Sequence, residues 1–122
     1  EVGNAVFWLV GCANCHTPTL VTGEHPNPAL SRKQFHPYSD FLLHNMGELG
    51  DGIAQGNAGP REMRTAPLWG ISSRTVFLHG GRASTLHDAI MAHGGQGAVS
   101  RNRYARLGRL YQTLVHQFLK TL

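Results

Sequence analysis

The sequence predicts a mostly α-helical fold with long Gly/Pro-rich loops, and three observations carry that expectation. Val2, Val6, Leu9 and Val10 share one face of a helical stretch that stops at Gly11. At the other end, Leu107, Leu110, Tyr111, Leu114, Val115, Phe118 and Leu122 recur at three- and four-residue intervals, the pattern of an amphipathic helix. The middle of the chain is rich in the 15 Gly and 6 Pro of a 122-residue sequence, which favours loops over long regular elements. The length suits one domain, 1–122, near the small end of what buries a good core.

The first helix, from about Val2 to Val10, runs into Cys12-Ala13-Asn14-Cys15-His16. Thr17 to Pro37 carries Pro18, Pro26, Pro28 and Pro37 and reads as a long loop wrapped around something; such loops are uncommon in compact domains unless functional. Phe41-Leu42-Leu43 is a short apolar run, either a turn of helix or a strand. Gly47 to Pro60 is Gly-rich and shows neither alternation nor a helical period. Thr65 to Gly70 reads as a short helix or turn with proline near its start. Thr85 is a good N-cap for a helix from Leu86 to His93, with Asp88 in its first turn and Gly94-Gly95 at its end. The C-terminal amphipathic helix completes the chain, which has no internal repeat.

The two cysteines of the chain are Cys12 and Cys15, and His16 follows directly. Two thiols one helical turn apart, with an imidazole beside them, form the C-x-x-C-H signature of covalent c-type haem. On that reading Cys12 and Cys15 anchor one haem and His16 ligates its iron. Three rivals exist. A zinc site wants a second ligand pair, and no second cysteine pair exists. A thioredoxin-like couple wants a strand before the motif, where a helical pattern stands. A short-range disulfide leaves His16 without a purpose.

A haem would add a large apolar body to the core of a small, Gly-rich chain. With 11 Lys and Arg against 7 Asp and Glu, the formal net charge is +4. Haem propionates would offset part of that charge, and Arg32, Arg61, Arg64, Arg74 and Arg82 are candidates to pair with them. The remaining positive charge suits an acidic redox partner. No basic run interleaved with aromatics points to nucleic acid, and no stretch is long enough to span a bilayer. Haem is joined to this motif outside the bacterial cytoplasm, so the sequence reads as a mature, exported form, periplasmic by default.

With His16 proximal, function turns on the opposite face of the iron. Methionine there raises the potential and favours electron transfer, a second histidine lowers it, and an open position permits peroxide or gas chemistry. Met46, in His44-Asn45-Met46-Gly47 between an apolar run and a Gly-rich loop, is the favoured distal ligand. His79, after Phe77-Leu78 and before Gly80-Gly81, is the alternative. Met91 reads as core packing, and Met63 has no particular context. His44, His87, His93 and His116 read as hydrogen-bonded or surface residues.

His36-Pro37-Tyr38-Ser39-Asp40-Phe41-Leu42-Leu43-His44-Asn45-Met46-Gly47 resembles a motif of the di-haem thiol-oxidoreductase branch of the bacterial di-haem cytochrome c peroxidase superfamily. Cys15-His16-Thr17-Pro18, Arg64 to Gly70, Phe77 to Ala83, Leu86 to Ala89 and His93-Gly94-Gly95 continue the resemblance over nearly the whole chain. It corresponds to the C-terminal haem domain of those larger proteins. It implies a cytochrome c-like helical domain and supports Met46 as ligand. Trp69 and Arg64 are expected to line the haem pocket, Arg64 at a propionate.

The departures from that family matter. The peroxidase branch places its axial Met just before a His-Asp-Gly motif; here Leu78 stands there, and Gly80 replaces the aspartate. Asn45 stands where the thiol-oxidoreductase branch commonly has Asp. Those enzymes carry two haems, and this sequence holds one C-x-x-C-H. The expectation is therefore a monohaem electron carrier rather than an enzyme, with redox proteins as donor and acceptor. A peroxidase-type domain with an open sixth site is the alternative, for which Glu48 or Glu62 could serve as acid-base group and no catalytic residue is assigned. A haem-bearing subunit of a larger redox complex is a third reading.

Overall fold

The computed structural model describes all 122 residues, from Glu1 to Leu122. Four α-helices occur: α1 (Val2–Val10), α2 (Leu86–Met91), α3 (Ala98–Ala105) and α4 (Arg109–Leu119). Between α1 and α2 lie two small antiparallel ladders. In one, β1 (Leu20–Val21) pairs with β2 (Gln34–Phe35), with Leu20 opposite Phe35. In the other, β3 (Leu43–Asn45) pairs with β4 (Glu62–Arg64), with His44 opposite Met63.

The expectation of a mostly α fold is corrected here. About 40% of the residues are helical and 11% lie in strands or bridges, and five of the helical pieces are single 3-10 turns. The physical reason is the backbone of the middle segment. Glycines and prolines there interrupt any helical ladder, so polar groups are satisfied locally or by short cross-pairing. Of 65 backbone hydrogen bonds, 39 lie in turns, loops and caps, which is how a chain with so little regular structure stays ordered.

The stretch expected as one long loop, Thr17 to Pro37, is pinned by β1 and β2. Leu43 opens a strand, and Met63 is drawn into its partner. Thr65 to Gly70 forms no helix; Leu68 instead donates its N–H to the Pro37 carbonyl at 3.0 Å. The Thr85 cap is present, its hydroxyl accepting the Asp88 N–H at 3.0 Å, and α2 ends two residues sooner than expected. Helix α3 was not anticipated. Its surface is polar and arginine-rich, and Tyr104 is its single buried residue.

The core forms where α1 crosses α4. Val6, Phe7, Val10, Ala13, Val115 and Leu119 pack together, flanked by Tyr38, Leu68, Leu86, Ile90 and Phe118. The buried face of α1 is Gly3, Val6, Phe7 and Val10, one position round from the expected face, and Val2 and Leu9 are exposed. Likewise Leu110 and Tyr111 on α4 face outward. The rotation follows from Gly3, where the helices come closest. A Cβ there would run into the Leu114 carbonyl and lie 2.8 Å from the Phe118 Cβ. The phenol of Tyr104 fastens α2, α3 and α4 together, its oxygen 2.9 Å from His87 Nδ1 and 2.7 Å from His116 Nε2.

Replacing Gly3 with Ala is expected to force the two helices apart. Overpacking at such a contact costs about 1–3 kcal/mol, which thermal unfolding should register as a clear fall in Tm. An unchanged Tm would mean that the crossing is looser than this geometry.

Candidate haem site

Gly11 ends α1 in the left-handed conformation, at φ 95°, and turns the chain into the 3-10 turn Cys12–Asn14. The N–H groups of Cys15 and His16 both donate to the Cys12 carbonyl, at 3.3 and 2.9 Å. That single turn carries both thiols and the imidazole, with neither cysteine in a disulfide. Burial pushes the Cys12 thiol up to about 11, outweighing a backbone hydrogen bond that lowers it. Burial, then the charge of Asp40, raises Cys15 as well. A redox dithiol works through a depressed pKa, and here both thiols move the other way. A helix, not a strand, also precedes the pair.

His16 is held by a single decisive contact. Its Nδ1 lies 3.0 Å from the Tyr38 carbonyl. A carbonyl only accepts, so Nδ1 carries the proton and Nε2 keeps its lone pair. Burial depresses the His16 pKa to about 4, against opposing effects from the Tyr38 and Ala66 carbonyls. The imidazole is therefore neutral at neutral pH, the form that binds a metal.

The Tyr38 carbonyl is aimed by an unusual backbone. Tyr38 and Phe41 both have positive φ, at 51° and 57°, a region that bulky residues rarely occupy. Hydrogen bonds hold the segment to the motif: Ser39 N–H to the Thr17 carbonyl at 3.0 Å and Asp40 N–H to the Cys15 carbonyl at 2.8 Å. The fully buried Ser39 hydroxyl donates to the Thr65 carbonyl at 2.7 Å. The Tyr38 ring meets Phe7 and Phe118 edge to face at 6.2 and 6.0 Å.

Across from His16 stands His93, with ring centroids 6.5 Å apart. His93 follows the C-cap of α2 and donates from Nδ1 to the Ala89 carbonyl at 2.8 Å. Burial lowers its pKa too. Met46 borders the same place: a Cβ on Gly97 would lie 2.9 Å from the Met46 methyl carbon and 3.1 Å from the His93 Cβ. The alternative ligand His79 sits elsewhere. Its side chain is 60% exposed and its Nε2 is 3.8 Å from Asp51 Oδ2. Met91 is exposed rather than core.

Arg64 and Trp69 are brought together by Phe41. The Arg64 guanidinium lies 5.6 Å from the Phe41 ring centroid, and Trp69 is 6.5 Å from Phe41 and 6.3 Å from Phe35. They form an aromatic surface, with Trp69 half exposed, rather than the lining of a closed pocket. Of the other arginines proposed for propionates, Arg82 donates to the Glu48 carbonyl at 3.0 Å, and exposed Arg32 faces Glu24 at 3.9 Å.

His93 is hydrogen-bonded, as expected of it from the sequence, and so is His44, whose partner the sequence does not name. Asp40 and His44, four residues apart, form a pair of 2.8 Å, and their ligand atoms lie within 4.8 Å of the Cys15 thiol. Burial raises the Asp40 carboxyl, but hydrogen bonds from Leu42, Thr65 and His44 outweigh it and leave it below its usual value.

The chain as a whole leaves apolar surface uncovered. Only 14 of 122 residues are buried, while Leu42, Leu43, Ile53, Trp69 and Val76 are exposed. Such a chain has apolar surface to spare and no interior of its own large enough to cover it.

Residues 1–122 match the family described as "di-haem oxidoreductase, putative peroxidase". The chain belongs to this family. No curated protein and no solved structure matches it. Membership gives the domain a haem-binding redox role, and the oxidoreductase family fits the peroxidase-type alternative better than the lean toward a carrier without enzymatic activity. No helix is long and apolar enough to cross a membrane.

The pKa of Cys12 gives a direct check. In haem-free protein, alkylation of Cys12 should accelerate with pH up to about 11, far above the ordinary thiol range. A midpoint near or below neutrality would restore the dithiol reading.

Proposed function

We propose that this domain carries a single haem c on Cys12 and Cys15, with His16 Nε2 as one axial ligand, and that it relays electrons within an oxidoreductase system outside the cytoplasm. The observation that carries the proposal is the single turn bearing two unpaired thiols and an imidazole whose Nδ1 is tied to Tyr38. That tie orients the ring and leaves Nε2 as the ligand atom. Bound haem would supply one-electron chemistry at a potential set by its axial ligands and burial. Phe41 and Trp69 would offer it an aromatic surface, with the Arg64 guanidinium 5.6 Å from the Phe41 ring available to a propionate.

A partner site is also suggested. Leu9, Val10 and Leu107 line a shallow depression rimmed by Arg103 and Arg106. It adjoins the motif, since a Cβ on Gly11 would lie 3.6 Å from Arg103 Nη1. An apolar centre with a cationic rim, on a chain of net charge +4, fits an acidic redox protein. The second reading, peroxide reduction at an open iron face, is favoured by the family description.

Cys15→Ser should abolish stable double attachment, read by mass spectrometry and by haem staining of a denaturing gel. The unmodified protein should exchange electrons with one-electron donors while turning over peroxide negligibly. High-spin iron with rapid peroxide turnover would replace the relay by the peroxidase reading.

A further inference from the structure

The geometry points to His93 as the second axial ligand of the iron, so that the haem is held between two imidazoles rather than between His16 and Met46. This rests on the reading of His16 as the first ligand and adds the partner that completes the site.

The two histidines are built alike. Each donates Nδ1–H to a backbone carbonyl, His16 to Tyr38 at 3.0 Å and His93 to Ala89 at 2.8 Å. With Nδ1 protonated, each keeps its lone pair on Nε2. Two imidazoles fixed through Nδ1, from separate segments and with centroids 6.5 Å apart, suit a metal between them.

The spacing agrees. Metal–imidazole bonds of about 2.0–2.1 Å on both sides of one ion place the ring centroids roughly 6 Å apart. The centroids of His16 and His93 are 6.5 Å apart.

The loop carrying His93 is also held in position. A Cβ on Gly95 would collide with the Asn45 carbonyl, and one on Gly94 would lie 2.9 Å from the Met46 carbonyl oxygen. The Asn45 N–H donates to Gln96 Oε1 at 2.7 Å. These glycines let the loop press against Asn45 to Gly47. The Met46 methyl reaches the backbone at Gly97 beside the His93 Cβ. Met46 thus serves as an apolar buttress behind the ligand loop.

The test uses the holoprotein purified with covalent haem. The ferric protein should give the low-spin signature of two imidazoles by electron paramagnetic resonance, without the red charge-transfer band of methionine ligation. His93→Ala should lose that signature and turn high-spin, and added imidazole should restore it. Met46→Leu should keep it. Should His93→Ala fail to accumulate, His93→Met should accept haem and exchange the bis-imidazole spectrum for a histidine–methionine one. Retention of the native spectrum in either His93 variant, or its loss in Met46→Leu, overturns the inference. Covalent haem on a denaturing gel separates the two failures: its absence overturns the haem c reading, whereas its presence with a spectrum indifferent to His93 overturns the inference alone.

Discussion

The hydrogen bond from His16 Nδ1 to the Tyr38 carbonyl is the contact on which the rest of the site depends. It fixes the tautomer, the ring orientation and the nitrogen left for a metal. Its acceptor sits on backbone that resists being there. A positive φ at a bulky residue costs of order 1–3 kcal/mol, more than one hydrogen bond returns at a net of about 0.5–1.5 kcal/mol. The segment therefore needs several fastenings, and it has them. Ser39 and Asp40 bind back to Thr17 and Cys15, the Ser39 hydroxyl binds Thr65, and the Tyr38 ring packs on Phe7 and Phe118. Edge-to-face aromatic pairs add about 0.5–1.5 kcal/mol each, so the ring and the hydrogen bonds together can hold the strained carbonyl on target.

This joins the core to the chemistry. Phe7 is on α1, Phe118 on α4, and Tyr38 carries the carbonyl that orients His16. The close approach at Gly3 sets how α1 and α4 cross, and thereby where that aromatic trio can meet. A disturbance of the helix crossing would be transmitted through Tyr38 to the imidazole. The site and the fold share the same few contacts because the chain has few others: its interior is small, and its middle segment is held by scattered hydrogen bonds.

The local parts were legible in the sequence where one residue type permits one job. The cysteine–histidine turn, the Gly11 stop and the Thr85 cap are of this kind. The C-terminal periodicity gave the right helix but too broad a face, since Leu110 and Tyr111 point outward. Periodicity marks an apolar stripe, and the glycine at the crossing decides which part of it is buried. The overall proportion of helix was misjudged because loops were read as spacers between helices, whereas β1 to β4 pair across tens of residues by registers no local pattern encodes. Helix α3 carries no apolar stripe to detect; one buried tyrosine, Tyr104, anchors it from a distance.

The same distinction would govern the choice of a second ligand to an iron bound by His16. Met46 looked like a ligand because of what flanks it in sequence, and His93 looked ordinary for the same reason. Ligation, however, is decided by which lone pair is free and where it points. His79 is engaged with Asp51, His87 and His116 with Tyr104, and His44 with Asp40. Among these, His93 combines an Nδ1 committed to a carbonyl with a ring 6.5 Å from that of His16. An iron held by His16 and His93 would leave no open position for peroxide and would have a lower potential than one held by methionine. Within a family of oxidoreductases, such a pair of ligands would favour the proposed relay of electrons over peroxide chemistry at the same iron.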